Sequence, residues 1–84
     1  MEFFVYMVRC KDGTLYTGYT NDLEARVRTH NGETNAVGAK YTRGRRPVQL
    51  VYTETCTSRS AALTRERQIK ALTRSEKEAL IENA

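Results

Sequence analysis

The stretch VYMVRCKDGTLYTGYT, residues 5–20, reads as a β-hairpin: two strand-forming segments meet at an Asp12-Gly13 turn signal. It carries two phenols, Tyr6 and Tyr16, and the loop length sets where they point. A two-residue Asp12-Gly13 loop would pair Lys11 with Thr14 and send the two rings to opposite faces, because side chains alternate along a strand. A three-residue loop, Lys11-Asp12-Gly13, gives Gly13 the left-handed position of a G1 bulge and pairs Cys10 with Thr14. Tyr6 then stands opposite Gly18 and Tyr16 opposite Val8, so both phenols share one face as diagonal neighbours. We expect the three-residue loop, with Gly18 leaving room for a substrate across from Tyr6.

The first strand, residues 3–9, is apolar on both parities: Phe3, Val5 and Met7 on one face, Phe4, Tyr6 and Val8 on the other. That pattern suits a central strand covered on both sides. A second strand covers residues 15–20, and VQLVYTET, residues 48–55, is a third. In the third, Val48, Leu50 and Tyr52 alternate against Gln49 and Thr53, as on an edge. In TNDLEARVRTH, Asn21 and Glu24 have capping-box spacing. Leu23 and Val27 form the inward face of that helix; His30 lies within about 60° of both, and Arg26 lies at the border. A second helix starts near Ser58 or Ser60 and runs to about Leu72, and SEKEALIEN continues it or restarts as a third capped by Ser75. The expected fold class is α+β, a three-stranded antiparallel sheet with the first strand central and helices around it. No internal repeat or linker breaks the 84 residues, so one domain spanning 1–84 is expected.

The composition, 39% hydrophobic and 29% charged, is that of a folded, water-soluble chain. No apolar run approaches about 20 residues, and Glu2 stands where a signal peptide carries basic residues. Membrane insertion and secretion are not expected on this reading, and a cytoplasmic location is expected. Cys10 and Cys56 lie in no C-x-x-C or Cys/His cluster, so they read as reduced thiols and not as zinc ligands. Against 10 acids the chain has 14 Lys and Arg, a net charge of +4 that favours a polyanionic partner. Lys40, Arg43, Arg45 and Arg46 in AKYTRGRRP equal that excess in number. Tyr41 adds a ring that can stack on a base, and Thr42 and Gly44 allow close approach to phosphates.

Glu66 falls at about 40° on a helical wheel that places Ala62 at 0°, inside an apolar stripe with Leu63 and Ile69. A carboxylate there calls for an ion pair, strong hydrogen bonds or a metal. Taken singly these residues have ordinary readings: Tyr6 and Tyr16 as strand aromatics, Arg26 as a solvated helix residue, His30 as a structural histidine.

Together, FVY at residues 4–6, YTG at 16–18, ARVRTHN and LTRERQI resemble the GIY-YIG endonuclease superfamily over nearly the whole chain. The resemblance is nearest to its small bacterial single-domain YhbQ-like group, where strings similar to GAKYTRGRRP also occur. It implies a metal-dependent nuclease acting on nucleic acid, expected to be DNA, in repair or recombination. By position, Tyr6 and Tyr16 match the motif tyrosines, Gly18 the motif glycine, Arg26 a phosphate-binding arginine, His30 the histidine of this branch and Glu66 the metal-binding acid. Phe4 and Val5 depart from the first triplet and Thr17 from the second. No appended DNA-binding domain is expected, so a separate targeting protein is a candidate partner of the expected monomer.

The residue types fit that chemistry. One carboxylate, Glu66, with water and phosphate oxygens completing the shell, suits Mg²⁺ or Mn²⁺. Arg26 can grip phosphate through its planar fork, and Tyr6 or Tyr16 can orient or deprotonate the attacking water. Lys40, Tyr41, Arg43, Arg45, Arg46 and Gly18 are the candidate substrate-binding residues. The alternative is a noncatalytic nucleic-acid-binding module that uses residues 40–46 alone.

Overall fold

The computed structural model describes residues 2–31 and 46–84. Its elements run β1 (Phe3–Cys10), β2 (Leu15–Thr20), α1 (Leu23–His30), β3 (Val48–Cys56), α2 (Arg59–Lys70) and α3 (Arg74–Glu82). The strands form one antiparallel sheet in the order β2-β1-β3, with β1 in the centre and β3 at an edge as expected.

The hairpin has the three-residue loop. Cys10 N donates to Thr14 O at 2.8 Å, Gly13 N donates to Cys10 O at 2.9 Å, and Gly13 has φ +87°. That φ costs glycine nothing and strains the backbone of a residue that carries a Cβ. Asp12 Oδ1 accepts from Thr14 N and Thr14 Oγ1, which fixes the turn from within. The register follows: Tyr6 pairs with Gly18 and Val8 with Tyr16.

Each face of β1 carries its own core. Val5 and Met7 pack with Cys56, Ala62 and Ile69, joined by Leu80 and Ile81 of α3. On the reverse, Tyr6, Val8, Cys10 and Val48 pack with Tyr16, Leu23 and Leu50. Helices α2 and α3 therefore cover one side and α1 the other, which is why both parities of β1 are apolar.

The structure corrects four local expectations. Between Met7 and Val8 the β3 register slips, so Val51 is a bulge. Leu50 joins the α1 side while Tyr52 joins the α2 side, although strict alternation would put them together. The cap of α1 is Asp22, not Asn21: Asp22 Oδ1 accepts from Ala25 N at 3.1 Å, and Glu24 pairs instead with Arg28. The cap of α3 is Thr73, not Ser75, in a capping box with Glu76. Ser75 shows the same spacing to Glu78, but Glu78 is held by Arg9 in a two-pronged ion pair. Finally, the inward face of α1 is wider than expected: Thr29 and His30 are its buried residues, while Leu23, packed on the core, and Val27 are half-buried and border an open apolar groove beside Leu50.

Candidate active site

Strand β1 carries Tyr6 and α1 carries Arg26 and His30; sheet and helix meet at the Tyr6 hydroxyl. Its oxygen lies 2.8 Å from His30 Nε2 and accepts a hydrogen bond from Arg26 Nε at 3.1 Å. Tyr16, brought onto the same face by the loop, completes the cluster. Its ring centroid is 4.9 Å from that of His30 and 6.5 Å from that of Tyr6. The Tyr16 phenol also acts on Arg26, raising its proton affinity.

Burial sets the protonation states. Tyr6 and His30 are both 0% exposed. Desolvation pushes the Tyr6 phenol up to about 12, against the opposing pull of Arg26. Desolvation, and then the Arg26 charge, lowers His30 to about 4. The pair is thus neutral near pH 7, and His30 Nε2 accepts the hydrogen bond of the Tyr6 hydroxyl when the imidazole's own proton sits on Nδ1.

Gly18 serves this cluster in a different way from the one expected. A Cβ there would stand 2.6 Å from the Tyr6 oxygen and 2.8 Å from Tyr6 Cζ. The space is filled by the Tyr6 phenol itself and is not an opening for substrate.

Glu66 enters from the opposite side of the sheet, on α2. Its side chain is 17% exposed, beside the fully buried Ala62 and Ile69, and its charge reaches Tyr6. Among the described residues its carboxylate meets only Lys70 Nζ, at 3.8 Å, and that lysine is 51% exposed. A carboxylate so loosely held fits a hydrated hard cation. No group of three His, Cys, Asp or Glu among the described residues forms a cage. Arg46, expected at the substrate, donates from Nε to the His30 carbonyl at 3.0 Å. Lys40, Tyr41, Arg43 and Arg45 lie outside the described residues.

Two features escape a reading of the sequence. Asn31 pairs with Val48 through both halves of its amide, Oδ1 accepting from Val48 N and Nδ2 donating to Val48 O. It ties the residue after His30 to β3 as a strand neighbour would. The second is an open cleft of about 530 Å³ lined by Phe3, Tyr19, Thr20, Asn21, Arg26 and Arg59. Arg59 could have been noticed, because it occupies the first turn of a helix with no acid there, where the dipole disfavours a cation.

Comparison with known proteins finds a matching family and relatives over nearly the whole chain. The family model described as the GIY-YIG catalytic domain matches residues 2–79. A UPF0213 protein of Haloquadratum walsbyi is 60% identical over 80 residues, 94% of this chain and 85% of that one. A UPF0213 protein of Staphylococcus epidermidis is 57% identical over 79 residues, covering 94% and 93%. The solution NMR structure of a UPF0213 protein from Bacillus halodurans superposes with a TM-score of 0.61 at 43% identity, covering 98% of this chain and 84% of that one. No helix among the described residues is long and apolar enough to cross a membrane. The chain belongs to the GIY-YIG catalytic domain family, whose domains are nucleases acting on nucleic acid.

Proposed function

We propose that this chain hydrolyses phosphodiester bonds in DNA, assisted by Mg²⁺ or Mn²⁺ held at Glu66. The observation that carries this reading is the Arg26–Tyr6–His30 chain. A core built for stability alone would place apolar groups there, since a buried polar network is costly unless it serves a purpose.

Arg26 donates its Nε to Tyr6, which aims a guanidinium that also lines the open cleft and serves as the phosphate grip. Tyr16 is only half-buried and is the phenol with access to an outside water; Tyr6 is sealed and serves to fix Arg26 and His30. A phosphate on Arg26 neutralises the charge that, after burial, holds His30 down. Substrate binding therefore raises the proton affinity of His30 when a proton must be received. A divalent cation would supply charge neutralisation at the phosphate and leaving oxygens.

The test is cleavage of a panel of labelled single-stranded, duplex and branched DNAs with Mg²⁺, Mn²⁺ or EDTA. Metal-dependent cleavage that is lost in Arg26→Ala is expected. Tight binding without cleavage in either metal refutes the hydrolytic reading.

A further inference from the structure

Arg26 has two surroundings: inside, it bonds Tyr6; outside, it lines the cleft with Phe3, Tyr19, Thr20, Asn21 and Arg59. None of these lining residues is acidic, in a chain with 10 acids. Arg9, Arg28, Arg65 and Arg74 each meet a glutamate. Arg59 is exposed, and among the described residues it meets only the neutral Tyr19 hydroxyl, at 3.3 Å from Nη2 and 3.4 Å from Nε. Those long bonds use two of the five N–H donors of a guanidinium and set its direction without neutralising it. Its place in the first turn of α2 works against the helix dipole, so helix stability does not explain a cation there.

We propose that this cleft is a second phosphate subsite. Arg59 holds the backbone phosphate of a nucleotide flanking the one gripped by Arg26, and the Tyr19 hydroxyl aims the Arg59 fork. The rings of Phe3 and Tyr19 give that nucleotide's sugar or base an apolar surface. This inference rests on the hydrolytic reading for the identity of the polymer, and it extends the binding track along β2 and the N-terminal ends of α1 and α2. Two guanidinium anchors on different elements fix a strand's direction as well as its position, which one arginine cannot do.

The test is fluorescence anisotropy in EDTA, with fluorescein-labelled single-stranded and duplex oligonucleotides across a salt series. Wild type is compared with Arg59→Gln, Tyr19→Phe and Arg67→Gln, the last an equal charge change at an exposed site on the same helix. Arg59→Gln is expected to weaken binding several-fold and to reduce the salt slope by about 0.7 on single strands or about 0.9 on duplex. Tyr19→Phe is expected to keep the slope and lose part of the affinity. Arg67→Gln is expected to match wild type. If Arg59→Gln and Arg67→Gln shift together, the subsite is refuted whether or not the protein cleaves. If Arg59→Gln alone loses slope while no metal supports cleavage, the subsite stands and the hydrolytic reading falls.

Discussion

The Tyr6 phenol crosses the backbone of Gly18 so closely that a Cβ at residue 18 would stand 2.6 Å from its oxygen. The contact explains why the strand has a glycine at this point. Gly18→Ala must push the ring away from Arg26 and His30 or distort β2. A loss of about 1 to 3 kcal/mol in stability is expected from the overpacking. Cleavage should fall further than stability predicts, because the hydroxyl leaves its partners. Denaturant melts and cleavage rates on the same samples check this, and an alanine variant with normal rates would show that the Tyr6 position is immaterial.

His30 gives stability an acid limb. Its proton affinity is that of an ordinary histidine, 6.5, in the unfolded chain and about 4 in the fold, so between these values the unfolded chain binds more protons. Stability is therefore full above pH 6.5 and is lost as pH falls toward 4. Glu78, held down to about 2 by its hydrogen bonds to Arg9, contributes stability that is present above 4.5 and lost below it. His30→Gln should flatten the limb between pH 6.5 and 4.5 and leave the lower one intact. Thermal melts across pH 3 to 8 separate the two limbs.

Glu66→Gln tests the cation site. The Lys70 contact is long and half-exposed, so its loss should change stability by less than about 1 kcal/mol. Metal-dependent cleavage should drop by about 10²-fold or more, with DNA binding in EDTA retained. A variant that melts several degrees lower yet still cleaves would make Glu66 a structural residue.

Asn31→Asp keeps the acceptor for Val48 N but turns a carboxylate oxygen toward the Val48 carbonyl in place of a donor. A cost of about 1 to 3 kcal/mol is expected. Because His30 is the preceding residue, activity should fall with it, whereas Asn31→Ala should lose only the tie. Hydrogen exchange at Val48 N measures the tie directly.

How far the sequence revealed this molecule depends on how local each cue is. The hairpin and its shared tyrosine face were legible because the loop length and Gly13 settle them within a few residues. The Val51 bulge was not, since neither glycine nor proline marks it. Caps were misplaced by one or two residues where neighbours offer equal chemistry. Asn21 and Asp22 can both cap, as can Thr73 and Ser75, and the choice was made by the distant or downstream partners of Glu24 and Glu78. Tyr6, Tyr16, Arg26 and His30 were legible as a group, but Gly18 was misjudged because ring volume is a property of the packed site. Arg59 is visible as a cation in an acid-free first turn, but its contact is not legible because its partner, Tyr19, lies 40 positions away.

The hairpin turn is also gripped from far along the chain. Arg74 Nη2 donates to Gly13 O at 2.7 Å, and Glu78, one helical turn on, takes the two-pronged bond from Arg9 beside the turn of the same hairpin. On a translating ribosome, residues 74–78 emerge long after the loop they clasp. A nascent chain can thus form its hairpin early, on the three-residue loop that Asp12 and Gly13 set locally, and receive this fastening only at the end. Completion of the fold is then timed by synthesis: the tyrosine pair shares a face from the start, and the far clasp on its hairpin closes only once α3 has docked.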